Sequence, residues 1–178
     1  MGREWDQITK ELSEFCLRQH IFFVATAPQG DGHVNLSPKG YESFRILDPN
    51  TVAYLDLTGS GVETIAHLRQ NGRITIMFTA FDGPANIVRL YGKGEVLMSD
   101  TDAYQSLSQE FEDLPGARAI IRINVHRVSS SCGYGVPLMT YSGDRNRLKE
   151  WAEAKTDEEI SAYQADNNKL SIDGLPGI

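Results

Sequence analysis

Two apolar periods divide the chain. Trp5, Ile8, Leu12, Phe15 and Cys16 recur at helical spacing with charged residues between them, which predicts an amphipathic first helix. The period then drops to two. Short β-rich runs follow at Ile21–Ala25, Val34–Leu36, Phe44–Leu47 and Val52–Leu57. Asp31-Gly32 lies between the first two and predicts a hairpin. Asp48-Pro49-Asn50 marks a turn between the next two. Glu63–Gln70 reads as a helix with Ile65 and Leu68 inward and Asn71-Gly72 as its stop. Long strands are expected over Arg73–Phe81, Ile87–Met98 and Ala119–Val128, with Gly92 and Gly94 marking a bend or bulge in the middle one. Asp100–Phe111 reads as a helix, and the charged stretch Arg145–Ala165 as helix in two pieces. The tail from Leu170 has no clear period.

Six or so strands with a helical N-terminus and one short inserted helix predict a mainly β fold, a small closed barrel. The order lacks regular βαβ alternation, and no GxGxxG follows a strand, so a dinucleotide-binding sheet is not expected. The change from β-rich to charged helical sequence divides the chain into a barrel domain, 1–143, and a helical C-terminal extension, 144–178.

Composition narrows the partners. The 178 residues are 40% hydrophobic and 23% charged, which fits one globular domain with a real core. A formal net charge of -7 argues against nucleic acid as the main partner. The longest apolar stretch, Ile21–Ala27, is too short to cross a bilayer. The N-terminal residues carry charge where a secretory segment would need an apolar core, so the expected location is the cytoplasm. Cys16 and Cys132 form no CxxC and read as reduced thiols. His20, His33, His67 and His126 lack metal-ligand spacing, and no GxSxG, HExxH or Walker motif occurs.

The candidate chemistry is that of an anion site. A strand ends in Ser37-Pro38-Lys39-Gly40; another ends in Thr58-Gly59-Ser60-Gly61 and feeds a helix containing Thr64. Hydroxyls, glycine amides at a helix start and a lysine are what a phosphate needs. The same residues also make an ordinary turn lysine and an ordinary N-cap, with Ser60 or Thr58 capping and Glu63 completing a capping box. Arg89 lies mid-strand and either faces solvent or reaches an anion; Arg45, Arg73 and Lys93 are weaker cases of the same kind. After the last strand, Ser129–Pro137 carries Ser131, Cys132, two glycines and Tyr134, a loop able to approach a flat ligand or simply to turn tightly. No residue stands out as catalytic.

At these residues the chain resembles the pyridoxamine 5'-phosphate oxidase-like, FMN-binding split-barrel superfamily, over roughly Phe15–Val136. Val34–Gly40 is similar to the strand that carries a flavin-contacting lysine, here Lys39. Tyr54–Thr64 followed by His67–Ile74 resembles its strand, phosphate loop, helix and following strand. Val88–Gly94 is similar to a strand with an arginine at the position of Arg89. The resemblance implies a six-stranded split barrel and a homodimer with FMN at the interface, where the flavin supplies the redox chemistry and the protein positions it. Ser37, Lys39, Gly40, Thr58, Ser60, Gly61, Thr64, Arg89, Ser131 and Cys132 are the implied cofactor-binding residues. Two departures accompany it. Glu63-Thr64 stands where the oxidases carry Arg-Lys, and the C-terminus lacks their Trp and Arg segment. The implied function is an FMN-dependent oxidoreductase of a small-molecule substrate. The alternative is a flavin-, F420- or haem-binding stress-related module without robust turnover.

Overall fold

A computed structural model describes residues 2–178. Eight strands and five helices follow in the order β1 (Arg3–Trp5), α1 (Lys10–Leu17), β2 (Phe22–Thr26), β3 (Asn35–Lys39), β4 (Phe44–Asp48), β5 (Thr51–Leu57), α2 (Glu63–Asn71), β6 (Arg73–Thr79), β7 (Ile87–Met98), α3 (Asp102–Ser108), β8 (Ala117–Ser131), α4 (Arg147–Glu153) and α5 (Asp157–Asn167). The strands form one antiparallel sheet in the order β3-β2-β6-β7-β8-β5-β4, with β1 paired to β8 off this path.

The two edge strands of that path, β3 and β4, are consecutive in the chain and only residues 40–43 join them. Such a sheet must roll until its edges meet. Tyr41 and Glu42 make the corner with left-handed backbones (φ 61° and 54°), and Leu55 N donates to Ser43 O at 2.9 Å. Among the described residues no ladder joins β3 to β4, so the barrel is split there. Inside it, Phe22, Phe44, Tyr54 and Phe78 interlock at ring-centroid distances of 4.9–5.7 Å. Val24, Val52, Ile76, Val88, Leu90, Ile121 and Ile123 fill the rest of the core from alternate strand positions.

Several expectations hold. The β2–β3 hairpin forms with Phe22 opposite Lys39. Gly72 ends α2 in the left-handed conformation (φ 69°), and its N–H donates to Leu68 O. The register of β7 on β8 shifts between Tyr91 and Gly92, at the expected bulge. The extension is helical in two pieces, and Thr156 and Glu159 form a capping box at the second.

Three details differ. The described residues hold eight strands rather than six. Trp5 belongs to β1, opposite Val128, because Thr9 caps α1: its side chain accepts from Leu12 N, so the helix starts at Lys10. Ser129, Ser130 and Ser131 continue β8 rather than opening a loop, because β1 and β7 both pair with this stretch. No helix among the described residues is long and apolar enough to cross a membrane.

Candidate functional site

Strand β3 carries Lys39 to the split edge, and its side chain turns inward. Lys39 Nζ lies 2.8 Å from Asp56 Oδ1 and 5.8 Å from the Tyr54 ring centroid. Asp56, fully buried on β5, accepts a second charged bond from Arg118 Nε at 2.7 Å. Burial alone would raise the Asp56 pKa. Lys39 and Arg118 outweigh it and hold the carboxyl below its ordinary value. The remaining Arg118 donors go to Asn168 Oδ1 at 2.7 Å and Gly61 O at 2.9 Å. The lysine is therefore neither a free turn lysine nor an unengaged cation; it is part of a buried charge cluster.

The loop from Thr58 to Thr64 joins β5 to α2. Its N-cap is Val62, and no side chain caps the helix, so neither Ser60 nor Thr58 plays that part. The C-terminal extension covers the loop instead. Thr58 Oγ1 accepts from Gln164 Nε2 at 2.8 Å, and Gly59 O accepts from Asn168 Nδ2 at 2.9 Å. Glu63 folds its carboxylate back over Gly61, where its Oε1 accepts from Ile172 N at 3.2 Å. Ser60 stays exposed.

A polar chain links the next candidates. Ser37 Oγ donates to Asn35 Oδ1, and Asn35 Nδ2 donates to Thr64 Oγ1 at 3.0 Å and to Thr26 Oγ1 at 3.3 Å. Thr26 Oγ1 is 3.0 Å from His67 Nδ1. Burial holds the His67 pKa below its ordinary value against the pull of Asp173 and Glu63. His67 Nε2 and the Tyr54 hydroxyl are buried without a partner among the described residues. Burial, with Asp56 adding to it, pushes the Tyr54 hydroxyl pKa well up.

Arg89, Ser131 and Cys132 lie elsewhere. Pro38, Phe23, Met77 and Arg89 form one row across the sheet. Lys39, one residue off that row, points to the opposite face. Three strand spacings, about 14 Å, also separate β3 from β7. Arg89 is half-buried and donates to Ser131 Oγ at 3.2 Å; Cys132 is exposed. Within one chain this group does not meet the Lys39 group. Arg45, Arg73 and Lys93 are each tied to backbone carbonyls, those of Glu110, Pro28 and Asn71 respectively.

Gly40 opens onto a cavity of about 770 Å³ at the same rim, walled by His20, Lys39, Tyr41, Phe81 and Tyr141. The His20 and Tyr141 rings stack at 3.6 Å with 6° between their planes. Met139 N donates to Phe81 O, which ties the segment carrying Tyr141 to the cavity wall. No group of metal-ligating side chains occurs among the described residues.

Sequence reasoning missed Asp56, Arg118, Asn168 and Gln164. An acid in Tyr54-Leu55-Asp56-Leu57 and an arginine in Ala117-Arg118-Ala119 are charges inside apolar strands, and that signal was present. The Asn168 and Gln164 contacts with the loop span more than a hundred residues and leave no local signature.

Residues 8–132 match the family model described as pyridoxamine 5'-phosphate oxidase. The chain belongs to the pyridoxamine 5'-phosphate oxidase family. It is 40% identical over 191 residues to the pyridoxamine 5'-phosphate oxidase family protein ustO of Aspergillus flavus, covering 98% of this chain and 77% of that protein. Among solved structures, HupZ of Group A Streptococcus is 27% identical with a TM-score of 0.53, covering 68% of this chain and 91% of HupZ. An FAD-binding protein from Mycobacterium smegmatis shares the fold at 14% identity and a TM-score of 0.51, over 71% of this chain and 97% of its own.

Proposed function

We propose that this chain is a flavin-dependent oxidoreductase acting on a small molecule. The observation that carries this reading is the rim cavity of about 770 Å³, walled by aromatic side chains and edged by Lys39. Its volume is in the range of small-ligand sites. Membership of a flavin-associated family supports the class of ligand.

A flavin has two parts with different needs, and the residues meet them unequally. The ring needs flat apolar walls and a polar edge. His20, Tyr41, Phe81 and Tyr141 supply the walls, and Lys39 lies at the edge with one of its N–H donors on Asp56. A phosphate tail needs unengaged amides, hydroxyls and cations. The β5–α2 loop accepts bonds from Gln164, Asn168 and Arg118 at its Thr58 hydroxyl and two carbonyls, and carries the Glu63 carboxylate over Gly61, an anion where a phosphate would need donors. The cavity walls suit a ring, whereas a phosphate at the loop would meet the Glu63 carboxylate. A bound flavin would supply electron transfer. The chain's residues would orient the ring, exclude water behind Tyr141 and keep a positive charge near the ring edge.

A homodimer completes this proposal. Val34 and Leu36 are 75% and 63% exposed beside the free edge of β3, an apolar surface a second copy would cover. A cytoplasmic workplace is consistent with the two free cysteines.

Titration of the purified chain with riboflavin and FMN, followed by flavin fluorescence, tests the reading. Binding to the wild type, weakened about tenfold in Lys39→Met, supports it; no binding of either flavin at about 100 μM rejects it. One observation favours a second reading, a flavin-binding module without robust turnover: the Glu63 carboxylate over Gly61 reduces the phosphate-binding energy available to the reaction. Stopped-flow reduction of the bound flavin by NADH or NADPH separates the two.

A further inference from the structure

Three features converge on the head of α2. First, the helix starts at Glu63 with Val62 as N-cap and no side-chain cap, so its first amides present positive potential. Second, Glu63 does not extend into solvent. Its carboxylate sits over Gly61 and is held there by Ile172 N, in a tail that is itself tied down. Asp173 accepts from His33 N at 2.8 Å, and Arg69 donates to Gly177 O. Third, the cations near the loop are engaged. Lys39 and Arg118 share Asp56, and the Arg118 Nη donors go to Asn168 and to Gly61 O.

We propose that Glu63 is a specificity-determining residue whose carboxylate takes the place of a ligand phosphate at the head of α2, so that the rim accepts a flavin without a phosphate lodged in the loop. The choice of ligand rests on the flavin reading; the exclusion of phosphate does not. A dianion entering the loop would meet a carboxylate at short range, while Lys39 and Arg118 are already paired with Asp56. It would also have to displace Glu63 from Ile172 N. Riboflavin meets neither obstacle, because its tail ends in hydroxyls. Selection here comes from repulsion built into the site rather than from an added attraction.

The test uses the full chain as wild type, Glu63→Gln and Glu63→Lys, with folding checked by thermal melting. Inorganic phosphate is titrated calorimetrically at constant ionic strength, and FMN and riboflavin are titrated by fluorescence. The wild type is expected to show no saturable phosphate binding and to bind the two flavins within about threefold of each other. Glu63→Lys is expected to bind phosphate and to favour FMN over riboflavin by at least about tenfold, with Glu63→Gln between. Saturable phosphate binding by the wild type overturns the proposal. So do variants that leave both the phosphate titration and the FMN-to-riboflavin ratio unchanged. If no variant binds a flavin, the flavin reading fails while the phosphate titration still decides the role of Glu63. A variant that misfolds is replaced by Ile172→Pro, which removes the N–H holding Glu63 and is expected to give a smaller gain in the same direction.

Discussion

The two ends of the candidate site, at one barrel rim, are built in opposite ways. At the β5–α2 loop, the Thr58 hydroxyl and the Gly59 and Gly61 carbonyls are bonded to Gln164, Asn168 and Arg118, and Glu63 lies over the glycine. At the β3–β4 corner, residues 40–43 turn through two left-handed backbones beside a cavity that the stacked His20 and Tyr141 rings help to line. The loop is bonded to its own chain; the corner borders a cavity. A distant segment can thus bond to a loop's acceptors and hold an acid over it, and for that reason topology alone does not assign chemistry.

The sharpest way to break this contrast is to remove the charge on which both ends depend. Asp56→Asn leaves Lys39 and Arg118 without their shared partner. Because Asp56 and Arg118 are buried, the expected loss is about 3–5 kcal/mol in urea unfolding. The pH dependence has a definite sign. The folded Asp56 pKa is below the ordinary 3.8, so its contribution is present above that value and is lost as pH falls through the lower folded pKa. The gap between wild type and variant should be level above about pH 5 and shrink in stronger acid. A loss below about 1 kcal/mol would mean that the cluster does not anchor the rim.

Next in size is the attachment of the tail. A Cβ on Gly177 would press on Asn168 O and come within 2.6 Å of Val62 Cγ1. Gly177→Ala is expected to cost about 1–3 kcal/mol and to make residues 168–178 cleavable by limited proteolysis, with the barrel intact. Unchanged protection would show that the tail does not depend on this contact. At the open end, Tyr141→Ala removes the stack on His20. Stability should change by less than about 1 kcal/mol, whereas flavin affinity should fall severalfold, as fluorescence titration would show. An unchanged affinity would take Tyr141 out of the cavity wall.

The smallest effect concerns the thiols. Burial pushes the Cys16 pKa up to about 12, while Cys132 is exposed. Native protein at pH 8 should therefore take up one equivalent of a thiol reagent rather than two. The raised value also means that the neutral Cys16 thiol contributes stability in full below pH 9.0, its ordinary value, and loses it as pH rises through about 12.

Much of the barrel was legible because strand alternation and turn chemistry are local. The Asp31-Gly32 hairpin, the Gly72 stop and the Gly92 bulge each follow from residues within a few positions of one another. Trp5 was misplaced because its apolar periodicity matches a helix, while the deciding signal, Thr9 as cap, lies further along the chain. Lys39 and the loop hydroxyls were recognisable as a group, but their engagement was not. Asp56 reaches Arg118 across 62 positions and Asn168 reaches Gly59 across 109. Glu63 stood out as an acid where a cation was expected. Only the fold shows that its carboxylate turns back over Gly61.

One end of the rim borders a cavity, and the other carries the Glu63 carboxylate over Gly61. Parallel dissociation constants for riboflavin and FMN on the unmodified chain show whether that difference selects the ligand. Both are expected to bind, with constants that differ by no more than about threefold. FMN binding roughly a hundredfold or more tighter than riboflavin, about 2.7 kcal/mol of phosphate recognition, would contradict it.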